Sequence, residues 1–169
     1  MNKVKTIIAG VLLFLLCTGS QASAIDLYGF GSYWDKSDTD GSWGAGIGIS
    51  LPIIIDNIRL DGRVHYFGDS DWERSSVQVY PIDLGAQIHL LTNARFDPYV
   101  LGGVSYNYVD SEHLNLDSKF GGYLGAGLDV ELGSSFVKLF GEIMYRYSDL
   151  DYIDTSGMTA NIGLKFHIF

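Results

Sequence analysis

A side-chain period of two, held over nine or more residues and repeated along the chain, is what most limits the folds open to this sequence. From Trp43 one parity reads Trp43, Ala45, Ile47, Ile49, Leu51, and the other Gly44, Gly46, Gly48, Ser50. From Tyr80 the apolar set is Tyr80, Ile82, Leu84, Ala86, Ile88, Leu90, against Pro81, Asp83, Gly85, Gln87, His89. From Gly122, Leu124, Ala126, Leu128, Val130 and Leu132 alternate with Tyr123, Gly125, Gly127, Asp129 and Glu131. From Val137, Leu139, Gly141, Ile143, Tyr145 and Tyr147 alternate with Lys138, Phe140, Glu142, Met144 and Arg146. Successive side chains of a strand point to opposite faces, so this is a strand pattern with one apolar and one polar or tiny face.

Four further segments follow the template more loosely. Asp26–Trp34 sets Tyr28, Phe30 and Trp34 against Gly29 and Gly31. Ile58–Tyr66 sets Leu60, Val64 and Tyr66 against Arg59, Asp61, Arg63 and His65. Pro98–Tyr108 and Thr159–Ile168 complete a set of eight. The connections also alternate. Short ones fall at Pro52–Asn57, Thr92–Asp97 and Gly133–Ser135, and longer polar ones at Asp35–Ser42, Gly68–Ser75, Asp110–Lys119 and Ser148–Ser156. An even number of alternating segments of roughly ten residues, joined by short turns on one side and longer loops on the other, is the pattern of a transmembrane barrel. The fold expected is all-β: an eight-stranded antiparallel up-and-down transmembrane β-barrel.

The first 24 residues are expected to be a cleaved signal peptide, which leaves residues 25–169 as the barrel domain. Lys3 and Lys5 precede an apolar run from Ile7 to Cys17, and Ala22-Ser23-Ala24 supplies the small-x-small cleavage pattern. That run is too short to cross a bilayer as a helix, which needs about 20 residues. Cys17 is the only cysteine and leaves with the signal, so neither disulfide nor thiol chemistry is expected of the mature chain. Removing Lys3 and Lys5 leaves 9 basic against 20 acidic side chains, a formal charge of −11. Such a balance argues against nucleic acid, which selects basic surfaces.

A soluble sandwich or lipocalin-like barrel would turn its apolar face inward. Two features argue otherwise. The second parity is mainly Gly, Ser and charge, while the apolar parity is edged by Trp34, Trp43, Tyr66, Tyr80, Tyr106, Tyr108, Tyr145 and Tyr147. Aromatics near strand ends suit an interfacial girdle. The segments are also longer than the five or six residues, roughly, of ordinary strands.

With these residues in view, the chain resembles a known family. The Gly-rich first strand Tyr28-Gly-Phe-Gly, the stretch Pro98-Tyr-Val-Leu-Gly-Gly-Val-Ser-Tyr-Asn-Tyr108 and the ending Ile162-Gly-Leu-Lys-Phe-His-Ile-Phe169 look like the small outer-membrane barrel superfamily. Its members include the OmpA membrane domain, OmpX and the OmpW-like proteins. The resemblance implies the cell outer membrane, contact with its lipid and lipopolysaccharide, and insertion by the barrel-assembly machinery, which reads a terminal aromatic residue. Phe169 fits by position, but Phe166 and Ile168 continue the lipid-facing parity and Phe169 falls on the other.

The inward parity carries Arg59, Asp61, Arg63, His65, Asp83, Asp129, Glu131, Lys138, Glu142, Arg146 and Lys165, with His89 and His167. An eight-strand barrel is only just wide enough for its own side chains, so a paired network filling the lumen is favoured over an open conduit. The acidic residues Asp35, Asp38, Asp40, Asp69, Asp71, Glu73, Asp110, Glu112, Asp117, Asp149, Asp151 and Asp154 fall in the longer connections. Carboxylates are hard ligands for Ca²⁺ or Mg²⁺, but solvated loops are the favoured explanation. Asp38-Thr-Asp-Gly41 fails as an EF-hand loop, since Lys36 and Ile47 occupy its first and twelfth positions. Some small barrels act on lipid A through His, Ser and a carboxylate. Here neither His-x-Ser-Asn nor Gly-x-Ser-x-Gly occurs, and His65 near Ser75 or Ser76 is no more than a conceivable pair. A non-enzymatic barrel with a structural or surface-interaction role is therefore expected, without cofactor or metal. A narrow channel for small or apolar solutes is the alternative.

Overall fold

The computed structural model describes residues 25–37, 40–53, 55–72, 75–92, 94–111, 119–133, 136–150 and 153–168. The expected signal peptide and Phe169 lie outside them, as do Asp38, Glu73, Glu112, His113, Asp117 and Asp151 of the acidic loops. In chain order the strands are β1 (Ile25–Lys36), β2 (Ser42–Ile53), β3 (Ile55–Trp72), β4 (Ser75–His89), β5 (Phe96–Ser111), β6 (Lys119–Glu131) and β7 (Val137–Tyr147). A two-residue pair, β8 (Asp149–Leu150) and β9 (Ile153–Asp154), precedes β10 (Gly157–Ile168). Eight strands close in the order β1-β10-β7-β6-β5-β4-β3-β2, each antiparallel to its neighbours. This is the expected up-and-down barrel.

Both ends of the ladder lie with the short turns, at what we call the inner end; the longer connections lie at the outer end. Gly133 leaves β6 at φ 78°, a left-handed backbone that suits glycine in a tight turn. Two expected connections are shorter than the sequence suggested. The turn placed at Pro52–Asn57 is nearly all strand, because β2 runs to Ile53 and β3 begins at Ile55. The loop placed at Gly68–Ser75 is nearly all strand too, with Ser70, Asp71 and Trp72 pairing with Val77, Ser76 and Ser75. Cross-strand backbone bonds outlast the alternating pattern there.

The barrel is inverted relative to a soluble protein. Outward residues such as Ile47, Leu124, Ile143 and Ile162 are exposed, while Asp61, Arg63, His65, Asp83 and Arg146 are buried inside. No helix among the described residues is long and apolar enough to cross a membrane; strands do the crossing.

β1 corrects one expectation. Its inward face is Asp26, Tyr28, Phe30, Ser32, Trp34 and Lys36, and its glycines face out. Trp34 is fully buried in the lumen and is not an interfacial residue. Glycine has no side chain, so the Gly/aromatic alternation of β1 could not say which face meets lipid. The neighbouring strand decides it. Tyr28 stands opposite Gly48 and Phe30 opposite Gly46, and a Cβ on either glycine would run into the ring beside it. The same holds for Gly127 under Tyr99. The inward glycines are seats for rings on adjacent strands, which lets aromatic side chains fit a narrow lumen.

Gly46→Val should therefore destabilise the barrel by about 1–3 kcal/mol, through collision with Phe30 and the Val64 carbonyl. Gly31→Ala, where an added Cβ meets nothing within 4 Å, should leave stability near the native value. Urea unfolding in detergent, followed by tryptophan fluorescence and by heat-modifiable gel migration, compares the two.

Candidate functional site in the barrel lumen

Arg63 on β3 is the hub of the lumen. Its Nε and Nη2 donate to Asp61 Oδ2 at 2.8 and 2.6 Å, two residues earlier on the same inward face. Its Nη1 donates to Glu142 Oε2 on β7 at 2.6 Å. In the eight-membered ring β3 and β7 stand four places apart, so this ion pair joins opposite walls. Arg63 and Glu142 are fully buried.

Neutral donors complete the coordination of both carboxylates. Tyr28 OH and Gln87 Nε2 donate to Asp61 Oδ1, the latter at 2.8 Å. Tyr99 OH donates to Glu142 Oε1 at 2.8 Å, and Asn161 Nδ2 to Oε2 at 3.0 Å. Four strands besides β3 and β7 (β1, β4, β5 and β10) thus supply donors to the two carboxylates that Arg63 binds. Buried charge is tolerated only when paired and hydrogen-bonded in this way.

Smaller pairs lie on either side. Toward the inner end, Lys165 binds Asp129 at 2.8 Å, Arg59 binds Asp26 at 2.9 Å, and His89 meets Asp97 at 2.8 Å. Toward the outer end, Arg146 makes a two-pronged contact with Asp83, Nη1 to Oδ1 at 3.0 Å and Nη2 to Oδ2 at 2.6 Å. His65 Nε2 lies 2.7 Å from Arg146 Nη2.

Of the residues expected in the lumen, Arg59, Asp61, Arg63, His65, Asp83, Asp129, Glu142, Arg146 and Lys165 are buried there. Glu131 and Lys138 stand opposite each other on β6 and β7, only half-buried at the inner mouth. The sequence had not singled out Tyr28, Tyr99, Gln87 and Asn161. Gln87 and Asn161 sat on the inward parity and were legible as such. Tyr28 was hidden by the ambiguity of β1. On the outside, Trp43, Tyr66, Tyr106, Tyr108, Tyr145 and Tyr147 are exposed. Tyr80 is half-buried between the Tyr66 and Tyr108 rings, whose centroids lie 5.5 and 6.2 Å away. Among the described residues, no three His, Cys, Asp or Glu side chains are arranged to hold a metal ion.

A family model described as "Outer membrane protein beta-barrel domain" matches residues 9–166. No curated protein matches the sequence. Among solved structures, the chain is similar to Neisserial surface protein A, at 12% identity over 88% of this chain and 97% of that one, with a TM-score of 0.68. It is similar to the outer membrane protein OprG from Pseudomonas aeruginosa, at 16% identity over 89% and 98%, TM-score 0.70. It is also similar to Ail, the attachment invasion locus protein of Yersinia pestis, solved with the heparin analogue sucrose octasulfate. There the identity is 15% over 86% and 97%, and the TM-score 0.54. At these identities the likeness is one of fold.

The hub has an asymmetric consequence for stability. Arg63→Met leaves Asp61 and Glu142 buried without a counter-charge and should cost about 3–5 kcal/mol. Glu142→Gln keeps the Arg63–Asp61 pair balanced and should cost about 1–3 kcal/mol, near the cost of a weakened hydrogen-bond set. Equal losses in denaturant unfolding would show that Arg63 does not serve both carboxylates.

Proposed function

The chain belongs to the outer membrane protein β-barrel domain family, an integral barrel of the cell outer membrane, and from that premise we propose that it is a closed, non-conducting barrel. Its role is structural or surface-interacting within the envelope. The Arg63–Glu142 bridge between opposite walls carries this reading. Water or solute following the axis would have to part a buried ion pair whose carboxylate is also held by Tyr99 and Asn161. In a barrel of this width the side chains occupy the space that a channel would need.

The barrel is at home among outer-membrane lipids. Lipopolysaccharide on the outer side and the barrel-assembly machinery during insertion are the finer partners we assign. Exposed Trp43, Tyr66, Tyr106, Tyr108, Tyr145 and Tyr147, with Tyr80 among them, form the interfacial girdle in this reading. Trp43 further packs on Tyr33, and Tyr106 on Phe120. The outer end, where the longer connections lie, is the surface offered to partners outside the cell. We read the barrel as non-enzymatic. Support comes from the two buried histidine–carboxylate pairs, His65–Asp83 and His89–Asp97, whose further hydrogen-bond neighbours are Arg146 and Gln87 and not a nucleophile.

Purified protein in planar bilayers should give no steady conductance. Reproducible steps that change with Arg63 or Glu142 substitutions would instead establish a narrow channel. An unchanged lipid A mass spectrum on overexpression is expected, and altered acylation would overturn the non-enzymatic reading. Residues 1–24 are proposed as the signal peptide on their Lys3/Lys5 start, apolar run and Ala22-Ser23-Ala24 pattern. Sequencing the N-terminus of the exported protein should therefore begin at Ile25.

A further inference from the structure

The two halves of the lumen are not equally satisfied. Among the described residues, the buried side-chain atoms without a hydrogen-bond partner are Trp34 Nε1, Ser42 Oγ, His65 Nδ1, Tyr123 OH, Arg146 Nε and Thr159 Oγ1. All six lie on the outer side of the Arg63–Glu142 bridge. They are also neighbours. Trp34 stands opposite Ser42 on β2 and Thr159 on β10. The Arg146 guanidinium lies 5.7 Å from the ring centroids of both Trp34 and Tyr123, and its Nη2 reaches His65.

Their chemistry leans toward donation. Trp34 Nε1–H and Arg146 Nε–H can only donate. His65 Nε2 lies 2.7 Å from the donor Arg146 Nη2 and 3.0 Å from the acceptor Asp83 Oδ2, so the role of Nδ1 follows whichever of the two contacts sets the ring tautomer. In the tautomer that accepts from Arg146, His65 Nδ1–H is a third unmatched donor. The three hydroxyls can donate as well. Orphaned buried polar groups ordinarily signal a missing partner. Here that partner must be rich in acceptors. Arg146 and Asp83 balance one another in charge, and Lys36 places its Nζ 5.1 Å from the Trp34 ring.

We propose that the outer half of the lumen is a binding cup for a small oxyanion, a carboxylate or a phosphate, held by Trp34, Arg146, His65, Ser42, Thr159 and Tyr123. The cup is shut in this structure. Lys36 is one inward position further out than Trp34 and is buried over it; its flexible stem is what an entering ligand displaces. The charge pairs around Arg63 form the floor. The site is thus reached from outside the cell and leads nowhere, and it holds whether or not the floor conducts.

The test uses ¹⁵N-labelled protein extracted from outer membranes in detergent, with the Trp34 indole N–H resonance assigned by Trp34→Phe. Inorganic phosphate and acetate are titrated separately at ionic strength fixed with sodium chloride. A saturable downfield displacement of that resonance with either anion is expected, and which anion binds more tightly identifies the class. Thr159→Val and Ser42→Ala each remove one donor and should raise the midpoint about tenfold, as for a hydrogen bond to a charged group. Either variant alone suffices if the other fails to show heat-modifiable migration. An indole resonance unmoved by both anions means that the donors are met by water alone, and overturns the proposal. So does a midpoint unaltered in the folded variants.

Discussion

A strand that crosses hydrocarbon cannot leave its backbone N–H and C=O groups unpaired, and the rest of this molecule follows from that requirement. Each unmet group costs several kcal/mol where no water can reach it, so a sheet in a membrane must have no edge. The chain meets the condition by pairing its first strand with its last, from Ile25 opposite Ile168 to Lys36 opposite Gly157. Once that seam is closed, every barrel strand has two neighbours, and the alternation of side chains becomes a division between lipid and lumen.

Closure creates a second demand, because the lumen of eight strands must be filled without leaving charge unpaired. Two devices meet it. Rings are seated on glycines of adjacent strands, as Phe30 is on Gly46 and Tyr99 on Gly127. Charges are distributed so that one guanidinium, Arg63, serves carboxylates on its own strand and on the opposite wall. Such a cross-lumen pair does not stabilise greatly against a well-packed apolar alternative. Its value lies in specificity, since only one stagger of the barrel brings Arg63 to Glu142.

Function in such a chain is read from where satisfaction is complete and where it is not. The Arg63 cluster has its donors and acceptors matched, which makes a plug. Outward of it the balance shifts to donors around Trp34 and Arg146. In the proposed reading, a barrel closed at the middle and receptive at its outer end suits interaction with the exterior better than passage through it. Membership of the outer-membrane β-barrel family and resemblance to solved barrels place the fold; the lumen distinguishes this chain within it.

The sequence by itself determined the number of crossing segments, the end with short turns and the inward parity of nearly every charged lumen residue. These are local properties: a period of two and a turn signal are written into consecutive residues. It did not determine the facing of β1, because alternating glycine with aromatics leaves both faces open to either solvent, and Trp34 was assigned to the wrong one. Nor did it determine that β3 and β4 stay paired almost to their shared tip, since backbone bonds carry no side-chain signature. Which carboxylate meets which arginine was decided by the tertiary structure alone. Asp61 and Glu142 are 81 residues apart in the chain yet share Arg63. The reason is that partner choice across a lumen depends on ring order and stagger, and both come into being only when β1 finds β10.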